Sequence, residues 1–146
     1  MTAHTWVVDA SVGAMLFLPE SLSDAAHRLF DMLSAEPPGT LHVPDLFFVE
    51  VANVLLKHSR RGTYAPADLH NDLADLRSLA LRATPTFELV DGAITIAQRY
   101  DISAYDSCYV ALAERLDAPL ITGDLKLLRK VSGSPHKVRW LGDGVV

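Results

Sequence analysis

Four acidic side chains in this chain of 146 residues occupy positions where a charge needs a reason. Asp9 closes the apolar run Trp6-Val7-Val8-Asp9, and Glu50 lies inside Leu46-Phe47-Phe48-Val49-Glu50-Val51. Asp106 opens the stretch Tyr105-Asp106-Ser107-Cys108-Tyr109-Val110-Ala111, and Asp124 ends Pro119-Leu120-Ile121-Thr122-Gly123-Asp124. A carboxylate embedded in a core segment, or terminating one, costs free energy unless something compensates it. Two carboxylates about 4 Å apart repel by roughly 4 kcal/mol at an effective dielectric near 20. Four that converge cannot all stay ionised without raised pKa values or a bound cation. Hard oxygen donors suit Mg²⁺ or Mn²⁺, which keep several waters and accept phosphate oxygens. One such ion activates a water and polarises a phosphodiester, and a second stabilises the leaving oxygen. Metal-assisted hydrolysis of a phosphodiester is therefore the chemistry these residues could do.

Each acid also has a structural use. Asp9 could cap the turn after a first strand, and Asp106 and Asp124 could each serve the start of a helix. Glu50, among Phe47, Phe48, Val49 and Val51, needs a partner if it is buried. Other chemistries find little support. The histidines form no His-Glu-x-x-His or other short ligand pair, and no Gly-x-Ser-x-Gly elbow, phosphate-binding Gly-Lys-Ser/Thr loop or Gly-x-Gly-x-x-Gly turn is present. Cys108, the single cysteine, lies on an apolar helix face and reads as core. One cysteine allows neither an intrachain disulfide nor a cysteine zinc site, and a reducing cytoplasm fits.

Alternating strand-like and helix-like segments place the acids in an α/β layer architecture. Thr5–Val8 reads as a buried strand. Ser23 is a plausible cap for a helix to Leu33 carrying Ala26, Leu29, Phe30 and Leu33 at helical spacing, broken by Pro37-Pro38-Gly39. Leu41–Val43 is a second strand, after which Asp45 is expected to cap a helix running to about Ser59 and ending at Gly62. Helices are expected from Pro66 (Leu69, Leu73, Leu76, Leu79 and Ala80), from Pro85 to Tyr100, from Tyr105 to Leu116 and from Leu125 to Val131. Pro119–Thr122 and Val138–Leu141 complete the strands. Asp9 and Asp124 then sit at strand ends and Glu50 and Asp106 in first helical turns, where the positive end of the helix dipole tolerates a carboxylate. In an open parallel sheet, ligands bind beyond the carboxyl ends of the strands.

The chain is long enough for one domain with its own core, and 49% hydrophobic with 21% charged residues describes an ordinary globular composition. Neither a secretory signal nor a membrane span is expected: no cation precedes the first apolar run, and the longest such run, Val12–Leu18, is too short. A net charge of −5 argues mildly against binding nucleic acid through bulk positive charge. The distribution is more informative. Residues 1–56 hold seven acids and Arg28 as the only Lys or Arg. Lys57, Arg60 and Arg61 form one basic cluster, and Lys126, Arg129, Lys130, Lys137 and Arg139 form another. Two basic patches beside an acidic centre could hold a phosphate backbone, although charge runs are often solvated helix faces.

Taken in order, Val7-Val8-Asp9-Ala10-Ser11, then Val43-Pro44-Asp45-Leu46-Phe47-Phe48-Val49-Glu50-Val51-Ala52-Asn53, then the long block Ile102 to Glu114, then Pro119 to Asp124, resemble the PIN-domain ribonucleases, and among them the VapC-like toxins of type II toxin–antitoxin pairs. The resemblance spans nearly the whole chain. It implies a three-layer fold with a mostly parallel sheet flanked by helices, and a cytoplasmic, Mg²⁺- or Mn²⁺-dependent endoribonuclease. It also implies an RNA substrate, a homodimer and a VapB-like antitoxin that occupies the acidic groove. Carried over by position, Asp9, Glu50, Asp106 and Asp124 match the acidic quartet, with Asp9 and Asp106 as direct metal ligands. Ser11 and Thr122 match hydroxyls that orient carboxylates or water, with Asn53 a further polar candidate. Gly123 departs from the pattern, where a side chain is common, as does Leu125, where a polar residue is frequent. Two other readings are a catalytically silent PIN module acting as an RNA- or protein-binding scaffold, and a phosphoacceptor domain using Asp9. Ser11, where the phosphoacceptor pattern wants a second aspartate, speaks against the last.

Overall fold

The computed structural model describes residues 4–145. Short runs of β-branched and aromatic residues, apolar on both faces, suit a sheet that helices cover on either side. The sheet has five strands, β1 (Thr5–Val8), β2 (Thr40–Pro44), β3 (Arg82–Thr84), β4 (Leu120–Thr122) and β5 (Val138–Trp140), of which the central β1 and β4 obey this rule most fully. They line up in the order β3-β2-β1-β4-β5, and all four pairings are parallel. The α/β architecture expected above is the one observed.

Helices α1 (Ala10–Ala14), α2 (Ser23–Asp31), α3 (Phe47–Arg60), α4 (Leu69–Ser78), α5 (Val90–Tyr100), α6 (Ala104–Leu116) and α7 (Leu125–Lys130) connect them. Helix α6 packs across β1, β2 and β4, with α5 against it, while α1 lies on α3 and α3 on α4. Buried residues from β1 through Leu141 form one apolar cluster centred on Val7, Val8, Leu41, Leu112 and Ile121. The approach of α1 to α3 depends on Gly13. A Cβ there would stand 2.6 Å from the Phe47 ring and 3.0 Å from a Val51 methyl, separations that a packed interior does not tolerate.

Several expectations are corrected. Helix α1 and strand β3 were not foreseen. The first is only five residues long, and the second is an edge strand whose Arg82 and Ala83 are exposed, so neither carries an apolar period. Pro85 consequently ends a strand connection, and α5 begins at Val90 after a 3₁₀ turn. Asp45 does not cap α3, whose N-cap is Leu46. Its carboxylate instead accepts hydrogen bonds from the backbone N–H (2.9 Å) and hydroxyl (2.5 Å) of Thr86, tying the ends of β2 and β3 together. These bonds hold its pKa below the usual carboxylate value. Ser23 lies inside α2 rather than at its cap; its hydroxyl donates to the Leu18 carbonyl and accepts from the Glu20 N–H.

The strand order has a functional consequence. From β1 the chain passes to β2 on one side, and β4 later returns to the other side of β1. The carboxyl ends of β1 and β4 thus border a topological switch point, where open parallel sheets leave a crevice. Asp9 directly follows β1, and Asp124 follows β4 with only Gly123 between.

Candidate active site

Asp9 is held more tightly than any other acid of the chain. It is 5% exposed, yet both its oxygens are occupied. Oδ1 accepts from the Ser11 hydroxyl (2.5 Å) and the Val12 N–H (3.3 Å), and Oδ2 accepts from the Thr122 hydroxyl (2.5 Å). Ser11 and Thr122 are anchored in turn, because their oxygens accept from the N–H groups of Gly123 (2.9 Å) and Asp124 (3.0 Å). The loop after β4 is thereby clamped to the end of β1. Burial pushes the Asp9 carboxyl up to about 6, against the pull of the Ser11, Thr122 and Val12 hydrogen bonds, and Asp106 adds to the rise.

Glu50, in the first turn of α3, finds its partner in Tyr109 of α6, whose buried hydroxyl donates to Oε1 at 2.6 Å. Burial raises the Glu50 pKa, the tyrosine bond opposes the rise, and Asp106 reinforces it. Asp106 is half-buried in the first turn of α6, where Ser103 does the capping by accepting from the Asp106 N–H at 3.0 Å. The Asp106 carboxyl is therefore not spent on the helix start. Burial raises its pKa, then the charge of Asp124, with Ser103 pulling the other way. Asp124 does cap α7: Oδ1 accepts from the N–H groups of Lys126 (2.9 Å) and Leu127 (3.3 Å). The capping use suggested by its position is real, and Oδ2 carries none of those bonds.

Asp9, Ser11, Glu50, Asn53, Asp106 and Asp124 all line one cleft of about 240 Å³. Thr122, fully buried, lies behind Asp9 and does not line it. Of two further lining residues, Tyr109 was not among the expected site residues, and Lys57 was expected only as a member of a basic cluster. Tyr109 could have been found from its place one helical turn after Asp106. Lys57 extends the α3 face formed by Glu50, Asn53 and Val54. A Cβ at Gly123 would lie 2.6 Å from the Met15 methyl, the far end of a flexible side chain that could shift to admit it. Cys108 is buried core, as expected, with its thiol pushed up by burial and then by Glu50.

The cleft offers oxygen donors from four carboxylates and no imidazole or thiol. Among the described residues, no three His, Cys, Asp or Glu side chains are grouped so as to hold a metal ion by themselves. That is compatible with Mg²⁺, which binds through one or two carboxylates, several waters and substrate phosphates rather than an all-protein cage. Burial raises Asp9, Glu50 and Asp106, and the neighbouring acids add to the rise; a divalent cation would offset both costs.

The Tyr109–Glu50 bond gives a testable consequence. Tyr109→Phe keeps the ring that fills the core and removes the donor to Glu50. The expected loss of stability is about 1 kcal/mol, because half-exposed Glu50 can take a water in exchange. Equilibrium urea unfolding measures it, and an unchanged midpoint would show that the bond contributes nothing.

A profile of the PIN domain matches residues 6–133. Ribonuclease VapC3 of Pyrobaculum aerophilum is 37% identical over 126 residues, which cover 85% of this chain and 92% of that protein. Among solved structures, PAE2754 from Pyrobaculum aerophilum superposes with a TM-score of 0.68 at 25% identity, over 97% of this chain and 94% of that one. VapBC2 from Rickettsia felis, bound to a DNA fragment from its promoter, superposes with a TM-score of 0.64 at 12% identity, over 93% of this chain and 98% of the other.

Proposed function

We propose, from the premise that this chain belongs to the PIN-domain family and within it to the VapC ribonucleases, that it is a toxin endoribonuclease whose acidic cleft hydrolyses RNA phosphodiesters with Mg²⁺ or Mn²⁺. The observation that carries the reading is the convergence of Asp9, Glu50, Asp106 and Asp124 from four different elements on one cleft at the sheet's switch point.

Asp9 and Asp106 are the carboxylates to hold the cation, with Glu50 and Asp124 completing its shell directly or through water. When bound, the ion supplies an activated water and neutralises charge developing on the phosphate. The protein's own contribution is orientation. Ser11 and Thr122 fix both oxygens of Asp9 before any ligand arrives, so little rotamer freedom is lost on binding. Tyr109 does the same for Glu50. The cap made by Asp124 Oδ1 holds that carboxyl at the rim.

A VapB-type antitoxin is the protein partner that membership in this family implies. Homodimerisation is supported by Phe87, Val90 and Ile94, exposed by 81%, 44% and 43%, which recur at helical spacing into α5. No helix among the described residues is long and apolar enough to cross a membrane.

The direct test is incubation of purified protein with total RNA in Mg²⁺, in Mn²⁺ and in EDTA. Discrete fragments in the first two and intact RNA in the third are expected. Intact RNA in all three, from protein that binds the metal by calorimetry, would replace the nuclease by an RNA- or protein-binding scaffold.

A further inference from the structure

The acidic cleft continues past its acids. Asp106 and Asp124 also line a second cleft of about 250 Å³, bounded on its other side by Ile102, Ser103, Lys126 and Lys130. The two clefts therefore meet at this pair of carboxylates. Lys57 lines only the first and Lys126 only the second, so each of the two clefts that share Asp106 and Asp124 carries a lysine of its own. Of the remaining clustered cations, Arg60, Arg61, Arg129, Lys137 and Arg139 line neither cleft.

The lysines are also sorted by their partners. Lys130 is tied to the Asp101 carbonyl (2.8 Å) and carboxylate (3.2 Å), and Lys137 to Asp117 (2.8 Å). Among the described residues, Lys57 and Lys126 enter no ion pair. A polyanion approaching a chain of net charge −5 meets repulsion, most of all where four carboxylates gather. Unpaired cations on either side of the reacting phosphate offset that repulsion and hold the strand in register. A cationic groove that tracks a single strand needs no base contact to do so.

Resting on the nuclease reading above, we infer that Lys57 and Lys126 bind backbone phosphates on opposite sides of the scissile bond, and that the cleft around Lys126 is the subsite for the flanking nucleotide of a single-stranded RNA. The strand runs from Lys57, over the acids, to Lys126. Both lysines are exposed, so their replacement leaves the core untouched.

The test uses fluorescence anisotropy with a labelled single-stranded RNA in Mg²⁺, between about 50 and 200 mM salt. An Asp106→Asn background keeps the strand intact. Lys57→Gln and Lys126→Gln are each expected to weaken binding about threefold to tenfold and to flatten the plot of log K against log salt by about 0.7. Their combination should flatten it by about twice as much, while Lys137→Gln, whose lysine is already paired, matches the parent. Parental affinity and slope in both single variants would overturn the assignment, as would an Asp106→Asn protein that binds no RNA at the lowest salt. Unchanged RNA binding with weakened capture of a polyglutamate peptide would also overturn it, giving the lysines to a protein partner. The two readings fail separately. A wild-type protein that never cleaves RNA, but whose variants lose slope as stated, loses the nuclease and keeps Lys57 and Lys126 only as phosphate contacts of a bound strand. Cleavage with unaltered slopes does the reverse.

Discussion

Asp106→Asn is expected to lower RNA cleavage by a factor on the order of a thousand while leaving the fold intact. The substitution keeps the shape of the side chain and removes one charge from a cluster in which Asp106 raises both Asp9 and Glu50 and is itself raised by Asp124. Nothing structural depends on that charge, because Ser103 caps the helix in its place. In the absence of metal the variant should be as stable as the wild type, or more stable by on the order of 1 kcal/mol, since Asp106 is half-exposed and solvent screens much of the repulsion. Calorimetric affinity for Mn²⁺ should fall in parallel with activity. Retention of more than about a tenth of the wild-type rate would remove Asp106 from the reacting centre, being less than the loss of even one strong electrostatic contact.

The second large effect concerns pH. The Asp9 carboxyl is pushed from 3.8 up to about 6 by burial, so the native state holds its proton more tightly than the unfolded chain does. Stability from this group is fully present below the unfolded value and is lost as pH rises through the folded one. In EDTA, urea-unfolding free energy is therefore expected to drop by about 3 kcal/mol as pH is raised from about 4 to above 6. Glu50 and Asp106, also raised, act in the same direction. Asp45 and Asp117, held low by Thr86 and Lys137, act oppositely, with stability present above their unfolded values and lost as pH falls. Both are exposed, and their contribution is the smaller. Mg²⁺ should flatten the loss by binding the ionised form, and Asp9→Asn should flatten it without metal. A wild-type profile that climbs from pH 4 to 7 in EDTA, with the same shape in Asp9→Asn, would show that Asp9 is not the group responsible.

The contrast between Asp106 and Asp9 follows from their surroundings. One carboxylate is fastened by three hydrogen bonds and takes part in the architecture, because it joins the loop after β4 to the end of β1. The other stands free of the helix cap. Removing the first should cost stability and activity together, and removing the second activity alone.

The sequence by itself determined which chemistry was available and roughly where each acid would stand. Terminating positions after Val8 and Thr122, and first-turn positions in α3 and α6, are local properties read from apolar runs and caps. The quartet was legible for that reason, whereas Ser11 and Thr122 were reached only through the family resemblance. The tertiary structure alone decided what pairing does. Tyr109 meets Glu50 across 59 residues, Thr122 meets Asp9 across 113, and Thr86 claims Asp45 across 41, leaving α3 without the expected cap. Strand β3 escaped notice because an exposed edge carries no apolar period, and the two basic clusters looked equivalent until the clefts separated Lys57 and Lys126 from their neighbours. Periodicity and capping act within a few residues of the chain, whereas a partner for a buried carboxylate is chosen by how whole elements pack, and that choice is written in no single segment.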